Sequence, residues 1–508
     1  LNVGGSFLAS TASSLKFADG FEFSATARQS TPLLTISVPI GLQFGANPGS
    51  IQNQSVATNS NGESVGLQVE PGKTLALVGG EVRLDGGLLQ AANGRVELAG
   101  VAGSGTVNLQ VNNNNLSLSF PVDIPRADVS LLNAAKVDVT GNGAGSVGIT
   151  ARSIDILGGS KISAGLNKEA GIASVPGNIT LNATGVVTID QLSRITNMSA
   201  LGTTANAGNI SIQAGDIFVD NRATVPDGNE IFAALDTSSN GQGRAGNVSL
   251  SATFEITLIG ESANIQDKVI STYGSQGLGG GDISLSAAGS ILLSNAYLLA
   301  GGGKANGGNI SLLGNNVSIT DNSSLITGTG GGNAGNITIK SPGNVSIKRS
   351  LVSTNVGSDL KVNAGDINIS GRSVSVTEGA ELTARLSRGS GKAGNISINA
   401  VDKVEISGND PFHKMGGDPL KATSGAVISW LMPKSLSFLM ADKFSRLLEV
   451  GVMRVTSSLR YVTISCYQAL TQIMPTIHLD LTEEWKQLAL VVVYLQILKL
   501  EVQVMVAL

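Results

Sequence analysis

From about residue 145 onward, apolar and polar positions alternate in short bursts, and each burst restarts after a glycine. In one period the apolar residues are Ile337 and Ile339, then Val345 and Ile347, then Val352. In the period before it they are Ile310 and Leu312, then Val317 and Ile319, then Ile326. Alternation with period two sends successive side chains to opposite faces of a strand. Each period therefore predicts three short strands cut by Gly, Asn, Asp and Ser turns, with Ile337 and Ile339 facing inward and Thr338 outward. Three strands this short cannot bury an apolar face by themselves.

The bursts share one anchor phrase. It reads GNIT at Gly177, GNIS at Gly208, GNVS at Gly246, GDIS at Gly281, GNIS at Gly308, GNIT at Gly335, GDIN at Gly365 and GNIS at Gly394, with a looser first copy, GSVG, at Gly145. Successive anchor glycines are 32, 31, 38, 35, 27, 27, 30 and 29 residues apart, a spacing that marks solenoids, propellers and arrays. Winding each period into one coil, with its strands on the equivalent strands of the next, buries the apolar face of every coil. The prediction is an all-β, right-handed parallel β-helix with three short strands per coil and a rise of roughly 4.8 Å per coil. In this reading Gly335 permits a tight or left-handed turn into the strand, and Asn336, like Asn309 and Asn395, stacks into an amide ladder in which Asp282 and Asp366 substitute for asparagine.

The two ends differ from the middle. In "GKTLALVGGEVRLDGGLLQAANGRVELAG" (72–100), Leu75, Leu77, Val82, Leu84, Val96 and Leu98 are expected to continue the inner column. "FADGFEFSA" and "STPLLTISVPIGLQFG" suggest a cap or extra-helical hairpin, and "VNNNNLSLSF" (111–120) reads as a loop between subregions. After Ser407 the anchor phrase stops: "VEISG" is a second strand with no legible third. Residues 409–508 hold only four glycines but both tryptophans, both histidines and the single cysteine, Cys466. This irregular tail is expected to be an out-of-frame extension or, alternatively, a separate domain. Within it, Thr482 to Trp485 could open a helix through "LALVVVYLQIL" (488–498), which is too short for the ~20 residues a membrane span needs.

Composition narrows the chemistry. With 33 basic and 37 acidic residues the net charge is -4, which leaves no basic stripe and predicts no nucleic-acid partner. One cysteine rules out a disulfide framework within the chain, and with only His413 and His478 no Cys/His metal cluster can be assembled. "GLGGGDISL" (277–285) has a superficial likeness to a calcium-binding nonapeptide, yet a single carboxylate, Asp282, falls short of the six or more oxygens calcium takes. Around Lys304 the phosphate-loop pattern fails, because alanine follows the lysine. Polysaccharide-cleaving enzymes also use β-helices, and Asp155, Asp190 and Asp321 recur near the ends of second strands, with Arg152, Arg194, Arg222 and Arg372 nearby. Aligned coils place Ser294, Lys348 and Glu378 opposite those aspartates, the pattern of a solvated turn. The expectation is no catalytic residue, no cofactor-binding residue, no metal ligand and no enzyme.

The phrases "LNVGGSFLASTASSLKFADGFEFSA", "PLLTISVPIGLQFG" and "GLQVEPGKTLALVGGEVRLDGG", together with the AGNI[ST]I repeats, resemble the filamentous-haemagglutinin-type exoproteins of two-partner secretion, especially their cyanobacterial branch. The resemblance covers residues 1 to about 408. It implies that residues 1–125 are the C-terminal part of a secretion and haemagglutination domain, that 126–408 form a β-helical shaft, and that 409–508 are a non-repeat tail. The family's NPN-type secretion motif would lie just upstream of "LNVGGSF", so a longer natural chain is expected. Function follows from the same resemblance: a secreted, cell-surface adhesin, exported by an outer-membrane transporter and acting as a monomeric rod toward a carbohydrate or protein ligand. The alternatives are a polysaccharide-active enzyme and the stalk of a contact-dependent toxin.

Overall fold

The computed structural model describes residues 2–407 apart from 27–37, 59–61, 63, 65, 113–114, 144, 169, 171–173, 223–232, 262–267 and 388–389, and beyond them residues 420–421, 427–431, 435–439, 451–458, 461–468 and 502–506. The described residues are all-β, without a helix. The chain divides into two compact units, Leu1–Ser290 with Ala296–Leu299, and Ile291–Asn295 with Ala300–Leu508.

In the first unit, coils of three strands pair in parallel with their successors. Ile179–Ala183 pairs with Ile210–Ala214, Val186–Ile189 with Asp216–Asp220, and Arg194–Ser199 with Leu235–Asp236, each one period later. The register puts like on like: Ile179 faces Ile210, which faces Val248, which faces Ile283, and all four are at most 1% exposed. The same column runs back through Val147, Val96 and Leu75, and the neighbouring inward column, that of Leu181, through Ile149, Leu98 and Leu77. Val82 and Leu84 lie in a second-strand column between Ile51 and Asn53 on one side and Val129 and Leu131 on the other. This is a parallel β-helical fold, in which an apolar interior is completed by each coil for its neighbour.

The second unit repeats the plan. Ile337 and Ile339 lie between Ile310 and Leu312 on one side and Ile367 and Ile369 on the other, all buried, while Thr338 points outward. One assignment shifts: Leu325, not Ile326, fills the interior, because Leu325 is in register with the buried Val352 and Ile326 is only half-buried. Two adjacent aliphatics leave the parity of a three-residue strand ambiguous, and pairing decides it. The coil begun by Ile396–Ser407 gains a third strand at Leu420–Lys421, and Val427–Leu431 and Ser435–Leu439 pair in parallel on Ile396–Ser407. The helix expected near 482–498 falls outside the described residues.

The anchor phrase has a different cause from a left-handed turn. Positive φ occurs instead between second and third strands, at Asp321 and Asn322, at Arg349, and at Glu378 with Gly379. At Gly335 the reason for glycine is close approach, since a Cβ there would lie 2.0 Å from the carbonyl oxygen of Gly308 in the preceding coil. The carbonyl of Gly335 in turn accepts a hydrogen bond from the hydroxyl of Thr327, a fully buried residue at the end of a third strand, at 2.6 Å. Thr354 does the same for Gly365, and in the first unit Thr237 and Thr272 do so for Gly246 and Gly281. A threonine in an otherwise apolar interior thus satisfies a carbonyl that no strand pairs.

The asparagine ladder is present, with the side chain bonding to backbone. Oδ1 of Asn309 accepts the N–H of Asn336 at 2.9 Å, Asn336 accepts that of Asp366 at 2.8 Å, and Asp366 accepts that of Asn395 at 2.7 Å. Asn178, Asn209 and Asn247 form the equivalent series ending on the N–H of Asp282 in the first unit.

Replacing Gly335 by alanine is expected to cost about 1–3 kcal/mol by overpacking, whereas alanine at Gly357, around which nothing lies within 4 Å, should stay within about 0.5 kcal/mol. Thr327→Val, which strands the Gly335 carbonyl, should cost about 1–3 kcal/mol. Urea unfolding followed by circular dichroism checks all three.

Candidate functional site

The outward face of the first strands changes character along the first unit. In Ile210–Ala214 and Val248–Ala252 burial alternates, with Ser211, Gln213, Ser249 and Ser251 exposed. In Thr74–Gly79 every residue is buried, and in Arg95–Gly100 all but the first. A strand buried on both faces must be covered on its second face as well. Here the cover is a five-stranded antiparallel sheet inserted into the coils, in the order Asn115–Ser119, Gly105–Asn112, Pro39–Phe44, Ser14–Phe17, Glu22–Ser24.

Leu42, Phe44 and Val107 from this flanking sheet, with Ile124, pack on Val78, Ala99 and Val101 of the coils, and Leu15, Leu118 and Phe120 close the margin. One register line shows the transition: Val78 pairs with Ala99, Ala99 with Thr150, Thr150 with Asn182, and Asn182 with Gln213. The position is apolar where the sheet covers it and polar where water does. Of the segments read as a cap or extra-helical hairpin, "FADGFEFSA" and "STPLLTISVPIGLQFG", the part of the second before Val38 lies outside the described residues, and the remainder contributes Glu22–Ser24 and Pro39–Phe44 to this sheet. The segment read as a loop, "VNNNNLSLSF", instead supplies most of its hairpin: Gly105–Asn112 pairs antiparallel with Asn115–Ser119, opposing Leu109 to Leu118 and Val111 to Leu116. The alternating L-S-L-S after the asparagines was the strand signal, and the apolar Ala76, Val78 and Ala99 at outward positions were the signal for a cover.

The charged candidates sit at turns, in ion pairs. Arg152 holds Asp128, two of its nitrogens reaching the two carboxylate oxygens at 2.8 and 2.5 Å, and these bonds keep the Asp128 carboxyl below the usual carboxylate range. Arg222 forks onto its near neighbour Asp220, and Arg372 meets Asp402 at 2.6 Å. In the second unit Arg349 bridges Asp321 and Glu378 on the coils before and after it, which holds Asp321 below its ordinary value. Asp155 stands in register with Ser130 and Thr188, so it does not line up with Asp190, whose carboxylate caps the N–H of Gln191. Arg194 is in register with Lys161, and burial lowers its pKa. Asp282 pairs with Arg244 at 3.6 Å, and Lys304 is an exposed loop residue. Among the described residues no three His, Cys, Asp or Glu side chains gather as a metal group.

The flanking sheet and the coils that carry it lie within a region that one family model matches. Residues 1–149 match the family model of the TPS secretion domain. No curated protein and no solved structure matches the chain. The family match indicates a two-partner-secreted exoprotein, with an outer-membrane transporter as its partner and export across the outer membrane as its route.

Exchanging an apolar side chain and an amide should matter on the covered stretch of this face and hardly at all on the open one. Val78→Asn, which buries an amide beneath the flanking sheet, is expected to cost about 2–5 kcal/mol. At exposed Gln213, valine should change stability by less than about 0.5 kcal/mol. Chemical denaturation of the two variants beside wild type reads the contrast.

Proposed function

We propose that the chain is a cell-surface adhesin of filamentous-haemagglutinin type, whose right-handed β-helical coils form a shaft and whose N-terminal coils with their flanking sheet serve export. The single observation that carries this reading is the secretion-domain match over residues 1–149, followed by in-register coils with outward rows of Ser, Thr and Asn. A secretion domain ahead of a repeat supports an exported surface protein. Hydroxyl and amide rows such as Thr338 with Asn368, or Ser346 with Ser375, support contact with a hydrated ligand, since each such group both donates and accepts. Weak contacts held in register gain strength from number. In this proposal the protein acts by display and has no catalytic residue, no cofactor and no metal; the charged side chains serve the turns.

Beads coated with the purified protein test the proposal. They should adhere to bacterial or host-cell surfaces, or to glycan-coated plates, above beads carrying an unrelated β-helical protein. Equal adhesion of the two bead types across those surfaces refutes the adhesin. Release of reducing sugar from a polysaccharide panel would move the reading to the enzyme class.

A further inference from the structure

The flanking sheet has one edge, Asn115–Ser119, that lies against the coils without joining their sheet. In an antiparallel strand, alternate residues turn their N–H and C=O away from the paired neighbour. On this edge those residues are Leu116 and Leu118. An edge of unpaired backbone groups invites pairing with any extended chain, yet here two side chains of the coils occupy it. The hydroxyl of Thr74, a fully buried residue, accepts the N–H of Leu116 at 3.0 Å and donates to its C=O at 3.3 Å. The carboxylate of Glu97, only 5% exposed, lies beneath the same edge, where the N–H of Leu118 favours its charged form.

The site for Glu97 is built by the next coil. Glu97 is in register with Gly148, and a Cβ at Gly148 would lie 2.4 Å from its Oε2, so glycine is the residue that leaves room for the carboxylate. This also explains why the first anchor copy reads V-G-I where later copies carry Ser, Thr or Asn at the middle position. Arg95, on the same strand, is ion-paired to Glu97 and reaches Ser146 of the next coil at 3.2 Å. The groups facing Glu97 are therefore Arg95 from its own strand, Gly148 from the following coil, Ala76 from the preceding one, and the backbone of Leu118 above it.

We propose that Thr74 and Glu97 act as a side-chain surrogate for a missing strand, closing the Asn115–Ser119 edge against an extended segment of a second copy of this chain. Burial raises the Glu97 pKa above its ordinary 4.5, with Arg95 and the Leu118 N–H opposing the rise. The closed edge thus binds the proton more tightly than an opened one. Closure is fullest below 4.5 and weakens as pH rises through the higher value. This inference is independent of the adhesin reading, because it concerns how the flanking sheet avoids pairing whatever the coils display.

Hydrogen exchange at single-residue resolution on the whole protein, corrected for the intrinsic pH dependence of exchange, tests it. In wild type the Leu118 amide should gain protection as the pH falls from about 7 to about 4.5. In Glu97→Gln, which keeps the shape and an acceptor, that gain should vanish. Thr74→Ala should lower Leu116 protection about tenfold while the amides of Val107 and Val129 stay protected, showing the fold intact. Sedimentation should show Thr74→Ala/Glu97→Gln self-associating at concentrations where wild type does not. The proposal is overturned if Leu116 and Leu118 exchange alike in wild type and variants, or if protection is lost with no gain in self-association.

Discussion

The anchor carbonyl of one coil lies where a Cβ of the next would stand, and most of what is distinctive in the sequence answers to that contact. Strand pairing sets coils roughly 4.8 Å apart, but where the chain turns back into a first strand the backbones come closer still. Glycine is the residue that fits there, as at Gly335 over Gly308 and, in the other unit, Gly246 over Gly208. The approach leaves the glycine carbonyl without a strand partner, so a buried threonine supplies a hydroxyl. It leaves the following N–H to the side chain of the previous coil's asparagine or aspartate. One steric constraint thus accounts for three residue types in the periods of Gly246, Gly281, Gly335 and Gly365, while Ala300 and Ala384 stand at the threonine position in those of Gly308 and Gly394.

The same scaffold presents different faces at low cost, because register fixes which side chain points where and composition decides what covers it. The line Val78, Ala99, Thr150, Asn182, Gln213 passes from beneath the flanking sheet to open solvent without any change in backbone plan. The secretion-domain region is therefore the repeat architecture with an insertion that lies on one face. That insertion brings with it an edge, which the coils close with Thr74 and Glu97.

Much of this was legible in the sequence, because a period of about thirty residues and strict alternation report directly on strand pairing and burial. Ile337, Ile339, Val345, Ile347 and Val352 all occupy the interior as their spacing requires. Less legible was whatever depends on residues distant in the chain. The cause of the anchor glycine is invisible locally, since it is a carbonyl 27 residues earlier that forbids a side chain. Thr327 carries no local signal, because its partner lies across the Gly-rich loop. The hairpin within 105–119 was hidden by its asparagine run, and Glu97 by the glycine 51 residues later that makes room for it. Leu325 and Ile326 show the limit of periodicity alone: two neighbouring aliphatics, one strand of three residues, and a parity that only the next coil sets.

Disulfide trapping addresses the coil register most directly. With Cys466 replaced by serine, cysteines at Thr338 and Asn368 occupy paired outward positions of adjacent coils, while cysteines at Thr338 and Ile369 point to opposite faces. Mild oxidation should link the first pair and leave the second free. A bond between 338 and 369, or none at either pair in the folded protein, would mean that the coils do not stack as described.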